Sequence, residues 1–215
     1  MFIFRKFLKT RKELGCLLDL YKNQSYVTCF VNIRCRINRL EDIVDLVPSS
    51  GRILDIGCGY GIFGNLLALK SPHRNVTGVD IDARKLKYSN RGLKNAAFKV
   101  ADGTDLALTD YDGITIIDVL HHLNSYADQE KLIMKCFGAL NPHGKLIIKE
   151  VNDKPKHKYM IARIIDNLLY VGDKFYFRNE VQWESLLGNL GFGVLSIPLH
   201  EGTPTSSIVY VAQKP

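Results

Sequence analysis

The sequence predicts an α/β fold that is doubly wound, with a mainly parallel seven-stranded sheet, an antiparallel last strand and helices on both faces. Three observations predict it. The apolar run Ile53–Ile56, interrupted only by Asp55, stops at a glycine-rich turn, after which a helical pattern begins. Strand and helix patterns then alternate as far as Val151. Two last strand patterns follow each other with too few residues between them for a crossover helix, so they must be antiparallel.

Two helices are predicted before the first strand. Residues 2–21 place apolar side chains near helical spacing with basic residues among them, which is typical of a basic amphipathic helix. Such a helix commonly docks on the protein body, but it can also lie on a membrane surface or cap a site. Ile33 to Val47 has a second apolar stripe, ended by Pro48 and Gly51, and predicts one helix.

Five strand patterns are predicted to form the parallel part of the sheet, and the fifth follows a predicted turn at residues 141–144. The strands are residues 53–56, 75–81, 97–100, 113–120 and 145–151, and the helices between them are 62–69, 85–93 and 129–140. The remaining predicted elements are a helix at 183–190 and strands at 193–199 and 207–212.

Residues 152–181 separate the fifth strand from the last helix. They give a helical pattern that is apolar on one face and basic elsewhere, and a structureless loop of that length would be unusual, so a lid helix is predicted. We expect a single domain over residues 1–215. Its parts are an N-terminal cap (1–50), a ligand-binding half (51–151), the lid-like insert (152–181) and the last helix with the antiparallel strand pair (182–215).

Composition is that of an ordinary globular domain, with 215 residues, 46% hydrophobic and 24% charged. No apolar run approaches the ~18 residues of a membrane span, and the N-terminus lacks the continuous apolar core of a secretory signal. Five cysteines form no CxxC pair, which disfavours a disulfide framework or a zinc site. A cytoplasmic protein is therefore expected.

The net charge of +7 is concentrated in two segments. Residues 1–40 hold nine Lys or Arg against two acids, and residues 141–178 hold eight against four. This excess suggests a basic rim that meets an acidic acceptor, an anionic membrane or nucleic acid. A solvated face that aids solubility is an equally good reading.

The glycine turn fits two classes of ligand. Gly59, Gly61 and Gly64 match the dinucleotide pattern G-x-G-x-x-G, and Asp80 follows at about the ~20-residue interval expected for NAD. Asp55, two residues before the first glycine, favours the other class, because a carboxylate there repels a pyrophosphate and attracts an ammonium group.

The segment D-I-G-C-G-Y-G, residues 55–61, resembles motif I of the class I S-adenosylmethionine (SAM)-dependent methyltransferases. The resemblance extends from about Ile33 to the C-terminus and includes several motifs in order. It implies SAM as the cofactor, with Asp80 accepting from the ribose hydroxyls and Asp102 from the adenine amino group. The residues predicted to bind SAM are Asp55, Gly57, Cys58, Gly59, Asp80, Ile81, Asp102, Gly103 and Asp118.

His121 and His122 follow the fourth strand, where an acceptor would approach, and are the predicted catalytic residues. Imidazole is a natural base for a hydroxyl acceptor at neutral pH. The alternative is that one ring positions a ligand and the other packs in the core. With no third ligand evident at suitable spacing, no metal site is predicted. Glu150, Asn152 and Asp153 are weaker candidates for orienting the acceptor.

Asp118 is not followed by the Pro-Pro-Tyr or Pro-Pro-Phe of methylases that act on amino groups of DNA bases and glutamine, so the segment resembles members acting on small molecules or lipids. Direct-displacement methylation of an anionic small or lipid-like acceptor is therefore expected, with peripheral membrane contact. An RNA or protein methyltransferase, for which no RNA-binding module is recognisable, and a non-catalytic SAM-binding module are the alternatives. The sequence leaves the oligomeric state open.

Overall fold

The computed structural model describes residues 13–22, 26–105 and 109–215. All the basic residues of the predicted N-terminal amphipathic helix lie before residue 13 and thus outside the described residues. The part of that helix that is described, residues 13–21, is helical and is labelled α1.

Seven strands form one sheet in the order β3-β2-β1-β4-β5-β7-β6. The strands are β1 (Gly51–Ile56), β2 (Arg74–Asp80), β3 (Ala96–Val100), β4 (Tyr111–Ile117), β5 (Leu140–Val151), β6 (Gly193–Pro198) and β7 (Ser207–Gln213). Strands β1 to β5 pair in parallel, whereas β7 is antiparallel to both β5 and β6. The predicted fold class, including the antiparallel end of the sheet, is confirmed.

Helices cover both faces of this sheet. Besides α1 they are α2 (Tyr26–Asn38), α3 (Leu40–Val44), α4 (Ile62–Lys70), α5 (Ala83–Leu86), α6 (Tyr126–Ala139), α7 (Lys156–Leu169) and α8 (Glu180–Asn189), with a 3₁₀ turn at Leu120–His122. Ile53 of β1 packs in the core under α1 to α4, and the next residue, Leu54, packs in the core under α6 and α8. Successive strand residues face opposite sides, so each strand serves both cores.

The single helix predicted from Ile33 to Val47 is wrong, because the chain forms two helices there. Arg39, between α2 and α3, has a left-handed backbone with φ of 49°. The helical geometry is interrupted at this residue, so the helical spacing of the predicted stripe does not continue across it. The buried side chains of α2 include Val27, Val31 and Cys35, whereas Ile33 is 50% exposed.

Two further boundaries differ from the prediction. Strand β4 ends at Ile117 and not at residue 120, because Asp118 adopts a left-handed φ of 56° and the 3₁₀ turn follows it. The turn predicted at residues 141–144 is a bulge inside β5. Tyr111 pairs with Leu140 and Gly113 with Lys145. Residues 141–144 of β5 therefore lie opposite a single residue of β4, Asp112.

The helix predicted over residues 85–93 is the short α5. The Ser89 hydroxyl donates to the Leu86 carbonyl oxygen at 2.7 Å, which occupies one of the helix's last acceptors and competes with continuation of the helix. The chain then reaches β3 through an irregular segment.

The site is positioned by the point where the strand order reverses. Strands β1 and β4 are neighbours, and the chain leaves β1 toward β2 and β3 on one side and leaves β4 toward β5 on the other. In open parallel sheets, ligands bind outside the carboxyl ends of the strands at this position. Across the described parts of the chain, none of the helices has the length and apolar content that crossing a bilayer requires.

Candidate active site

The glycine turn after β1 is held against the end of β2. The backbone N–H groups of Gly57 and Cys58 both donate to the Val79 carbonyl oxygen, at 2.8 and 3.0 Å. Gly57 has φ of 71°, and a Cβ there would lie 2.3 Å from Val119 Cγ2. Glycine is therefore required for both its backbone conformation and the close approach of the loop after β4.

Asp80, at the end of β2, is bound to this turn. Its Oδ2 accepts from the Gly59 N–H at 2.7 Å and its Oδ1 accepts from the Asp82 N–H at 2.8 Å. Gly59 also has a left-handed backbone, but a Cβ there would meet no atom closer than 3.9 Å. The open space in front of Gly59 lies beside the Asp80 carboxylate, and a side chain at this position would occupy it.

Asp55 lies within β1 and is only 2% exposed. Its Oδ1 accepts from the Thr115 hydroxyl at 2.8 Å, whereas Oδ2 is buried and forms no hydrogen bond of normal geometry with the described part of the chain. Burial raises the pKa of Asp55 to about 7, although the Thr115 hydroxyl and the nearby Gly64 amide oppose the increase. The predicted attraction for an ammonium group therefore acts from a buried carboxyl group, one of whose oxygens is unsatisfied.

The end of β3 supplies the third acidic group. Asp102 is exposed, and its Oδ1 accepts from both the N–H and the hydroxyl of Thr104. Gly103 is buried, and a Cβ there would lie 2.6 Å from Ile56 Cγ2, so this turn also approaches β1 closely. Ile81 is 73% exposed at the same edge.

The structure thus brings the predicted cofactor residues of β1, β2 and β3 to neighbouring strand ends. Beside the turn lies a groove of about 350 Å³ lined by Tyr26, Tyr60, Asp82, Arg84, Lys85 and Lys87. An orphaned carboxylate oxygen at Asp55 and the space at Gly59 fit a ligand with an ammonium group. That these residues bind the cofactor stays a prediction.

Cys58 packs beneath the turn. A Cβ on Gly78 would lie 3.0 Å from the Cys58 sulfur, which shows how closely the thiol approaches β2. Burial, together with Asp55 and Asp80, raises the pKa of the Cys58 thiol. A thiol of this kind is a poor nucleophile, so the structure favours a packing role for Cys58 beneath the turn.

Asp118, predicted to bind the cofactor, has partners from the protein on both of its oxygens. Lys149 Nζ lies 2.5 Å from Oδ1, while Asn38 Nδ2 and Arg34 Nη2 lie 3.0 and 3.3 Å from Oδ2. Burial alone would raise the pKa of Asp118, but Lys149 and Arg34 outweigh it and the pKa is lowered. Asp118 thereby joins α2 to the sheet, a role that the sequence did not indicate.

His121 forms a buried pair with Glu150. His121 Nδ1 lies 2.5 Å from Glu150 Oε2, and each residue is 2% exposed. The other oxygen of Glu150, Oε1, accepts from the N–H groups of Val119 and Leu120. Since the carboxylate accepts, Nδ1 carries the proton, which leaves Nε2 as the unprotonated nitrogen of a neutral ring. Glu150 was only a weaker candidate, but it fixes both the 3₁₀ turn and the ring of His121.

Asp166, on α7, faces the other side of His121. It is not among the site residues predicted from the sequence. Its Oδ2 lies 3.8 Å from His121 Nε2, and both atoms are buried without a hydrogen-bond partner among the residues that the structure describes. The side chains of His121, His122 and Asp166 bring potential ligand atoms within 4.8 Å of one another, a grouping that the sequence spacing did not reveal. That no metal binds there stays a prediction. Asp166 is the sole acidic residue of α7, which is the one signal that could have indicated it.

Aromatic rings enclose both histidines. Phe177 stacks on His121 with ring centroids 5.1 Å apart, and Tyr170 meets the ring of His122 edge-on at 4.5 Å. Phe175 contacts both imidazoles. Burial and the neighbouring His121 lower the pKa of His122 to about 3, so it is neutral at physiological pH. The residues after α7 therefore form an aromatic cover over the end of β4.

The remaining candidates lie beside this cover. Asn152 is 3% exposed and its Oδ1 has no hydrogen-bond partner among the described residues. Asp153 lines a pocket of about 210 Å³ together with Tyr159, Phe177, Arg178, Asn179 and Gln182. Phe177 thus separates this pocket from His121.

A glycine turn after β1, acidic groups at the ends of β2 and β3, and the sheet order 3-2-1-4-5-7-6 together define a class I SAM-dependent methyltransferase. Residues 32–197 match the family model described as a methyltransferase domain, and the chain belongs to that family. The predicted protein class and its cofactor, SAM, are confirmed.

Individual methyltransferases are also similar to this chain in sequence. A demethylmenaquinone methyltransferase of Thermotoga maritima is 30% identical over 150 residues, which are 66% of this chain and 63% of that protein. A ubiquinone biosynthesis O-methyltransferase of Marinobacter nauticus is 28% identical over 130 residues, covering 56% and 52%. The chain thus spans between about half and two thirds of the length of these relatives.

A solved structure with a similar fold is that of magnesium protoporphyrin IX methyltransferase from Synechocystis PCC 6803 with bound S-adenosylhomocysteine (SAH). Its TM-score is 0.68 at 18% identity, with 92% of each chain covered. At this identity the likeness extends to the fold alone.

Proposed function

We propose that this chain transfers a methyl group from SAM by direct displacement to a small acceptor that has an apolar part and a negative charge. The observation that carries the proposal is the adjacency of two half-sites. One is the glycine turn bound to Asp80, and the other is the buried His121–Glu150 pair at the ends of β4 and β5. The two half-sites lie on either side of the point where the strand order reverses.

On the cofactor side, we assign Asp80 to the ribose hydroxyls and Asp102 to the adenine amino group. Asp55 attracts the ammonium group, and Gly57, Cys58, Gly59, Ile81 and Gly103 shape the surface that the cofactor contacts. The cofactor supplies a methyl group on a sulfonium, an activated leaving group. Asp118 acts indirectly, because its carboxylate already holds Lys149 and α2.

On the acceptor side, we assign the base to His121. The proton on Nδ1 is held by Glu150, which leaves Nε2 free to take a proton from an acceptor hydroxyl. His122 is neutral, and together with Tyr170 and Phe175 it excludes water from the reacting atoms. Holding the acceptor in line with the methyl group supplies most of the remaining rate enhancement.

The lipid-like character of the acceptor is supported by α7. Large apolar side chains along one face of this helix are exposed, although such residues are normally covered. They are Met160 (52%), Ile161 (40%), Ile164 (54%), Leu168 (72%) and Leu169 (64%). Lys156 and Arg163 lie at the edge of this face, which we call the apolar face of α7. Relatives named for menaquinone and ubiquinone point to acceptors of the same chemistry.

We therefore place the protein in the cytoplasm, with α7 in peripheral contact with an anionic membrane from which a lipid-like acceptor is taken. An amphipathic helix with a basic edge binds such surfaces by burying its apolar face between head groups. The basic excess of residues 141–178 adds electrostatic attraction.

Calorimetry with SAM, SAH and NAD in parallel tests the cofactor assignment. We expect SAM and SAH to bind with micromolar affinity or better and NAD to give no heat. Asp80→Asn should weaken SAH binding about tenfold, because the amide offers one acceptor where the carboxylate offers two. NAD binding with no response to SAM would refute the proposal.

A further inference from the structure

The gap between His121 and Asp166 is the feature that the proposed function leaves unexplained. Nε2 of His121 and Oδ2 of Asp166 face each other at 3.8 Å, too far apart for a hydrogen bond. Both atoms are buried, and neither has a hydrogen-bond partner within the described part of the chain. Leaving two buried polar atoms unsatisfied is costly, so this geometry calls for a group that bonds to both.

The separation of the two atoms is one that a single oxygen atom can bridge. An oxygen can lie about 2.8 Å from both atoms while they remain 3.8 Å apart, because this requires an angle of roughly 85° at the oxygen. A hydroxyl can donate its proton to Nε2 and accept a hydrogen bond from a protonated Asp166 at the same time. The position is also enclosed by Phe177 and His122 on the His121 side.

We propose that Asp166, carried by the lid helix α7, is a second catalytic residue, which together with His121 binds the acceptor's hydroxyl oxygen. The inference rests on the proposed function, since it names the acceptor atom of that same site. It assigns oxygen as the atom methylated, because an amine already has a free lone pair and needs no base before it attacks.

One proton serves the pair before the acceptor binds. His121 faces Glu150 from β5, Asp166 from α7 and Asp118 from the end of β4, with neutral His122 beside it. Burial opposes the charge on His121, but Glu150, Asp166 and Asp118 outweigh it and raise the pKa of His121. Burial also raises the pKa of Asp166. The reactive form is the one in which Asp166 holds the shared proton and Nε2 is free.

The step balances with His121, the acceptor hydroxyl and the cofactor. His121 Nε2 takes the hydroxyl proton as the oxygen forms a bond to the methyl carbon. The carbon–sulfur bond breaks, and its electron pair stays on sulfur. The products are a methyl ether, SAH and imidazolium, and the imidazolium later releases its proton to solvent. Since Asp166 belongs to α7, the acceptor site is complete only when that helix is docked.

Phenol and aniline are matched probes, because they differ only in the hydroxyl and the amine. Four proteins are incubated with SAM and each probe, and products are measured by mass spectrometry from pH 5 to 10. They are the wild type, Asp166→Asn, Asp166→Ala and the control Asp173→Asn, in which the changed residue is exposed and lies just after α7. We expect anisole from phenol at least tenfold faster than N-methylaniline from aniline. Asp166→Ala should lose about 100-fold in rate with phenol, whereas Asp173→Asn should match the wild type.

The pH profile separates catalysis from a structural role. The wild type should give a bell-shaped profile, since one proton must stay on the pair. Asp166→Asn still donates a hydrogen bond, so it should keep activity within about tenfold and lose only the alkaline limb. An unchanged profile in Asp166→Asn, equal rates with the two probes, or no anisole would overturn the inference. Activity that EDTA removes and Zn²⁺ or Mg²⁺ restores would also overturn it, because a cation would then fill the gap.

Calorimetry with SAH on the same proteins distinguishes the two failures. If the wild type and all variants bind SAH equally but Asp166 proves irrelevant to phenol methylation, the inference fails and the proposed function stands. If the wild type binds no SAH, the proposed function itself fails.

Discussion

Glu150 Oε2 lies 2.5 Å from His121 Nδ1, and the same carboxylate binds the backbone of the 3₁₀ turn that carries the histidine. A single side chain on β5 therefore fixes both the position and the tautomer of the candidate base on the neighbouring loop. An imidazole held this way is pre-organised for proton transfer in one direction only.

We expect Glu150→Gln to lower the methyl-transfer rate about 100-fold while leaving SAH affinity unchanged. The amide removes the charge that stabilises imidazolium, so the pKa of His121 should fall and the acid limb of the rate profile should move to lower pH. Rate measurements from pH 5 to 9 with SAH calorimetry as the control would check this. A change in SAH affinity together with an unchanged pH profile of the rate would contradict this prediction.

The same pair affects stability with a definite sign. The pKa of His121 is raised in the folded protein, so its contribution is fully present below the unfolded value of about 6.5 and is lost as pH rises through the folded pKa. The unfolding temperature of the wild type should therefore fall as pH rises through that range. Glu150→Gln should show a smaller loss, and an identical pH dependence in both proteins would refute the assignment.

The buried carboxyl group of Asp55 should make the stability of the folded protein depend on pH, over a lower range than His121 does. Its pKa is raised from 3.8 to about 7, so the folded state holds the proton more tightly than the unfolded state. The stabilising contribution is fully present below pH ~3.8, declines as pH rises, and is lost above pH ~7, for a total on the order of 4 kcal/mol. Asp55→Asn cannot ionise, so its stability should vary less between pH 4 and 7. Chemical unfolding at pH 5 and 7.5 measures the difference, and parallel curves for both proteins would contradict it.

The turn glycines separate fold from ligand binding. A Cβ at Gly57 would lie 2.3 Å from Val119, so Gly57→Ala should destabilise the protein by about 2–3 kcal/mol. At Gly59 a Cβ has room, so Gly59→Ala should fold with a smaller loss but bind SAH at least tenfold more weakly. Gly172→Ala is the matched control, since Gly172 also has positive φ and open space around it. Normal SAH affinity in Gly59→Ala would contradict the prediction that the cofactor contacts this turn.

Much of the fold followed from the sequence because parallel strands and the glycine turn have local signatures. The run after Gly51, the acids at 55, 80 and 102, and the short final connection were sufficient to give the sheet, its antiparallel end and the acidic strand ends. The break at Arg39 and the bulge opposite Asp112 were missed, because both depend on contacts between distant segments.

The acceptor side was less predictable for the same reason. Asp166 lies 45 residues after His121 in the sequence, and only docking of α7 brings the two side chains together. The binding of Asp118 to Arg34 and Lys149 also needs α2 in place. Spacing alone could not indicate either contact, whereas the adjacent histidines were visible as a pair.

Asp118 is expected to be structurally important. Asp118→Ala would leave Lys149, which is 3% exposed, without its closest partner. Removing one member of a buried ion pair costs about 3–5 kcal/mol, so unfolding should occur at markedly lower denaturant concentration. The control is Asp19→Ala, which removes a surface pair with Lys22 and should cost less than about 0.5 kcal/mol. Equal losses in the two variants would show that the Asp118 cluster contributes little.

The apolar face of α7 predicts membrane binding that depends on both its side chains and the lipid charge. Replacing Ile164 and Leu168 with serine removes two large exposed apolar groups, each contributing roughly 1.5–3 kcal/mol when buried, without disturbing the core. We expect the wild type to sediment with vesicles of phosphatidylcholine containing 30% phosphatidylserine, less with neutral vesicles, and the double variant to stay in the supernatant. Met134→Ser on α6, where Met134 is 55% exposed, is the matched control and should bind like the wild type. If the double variant sediments as well as the control, the membrane contact lies elsewhere on the molecule and the assignment of α7 is wrong.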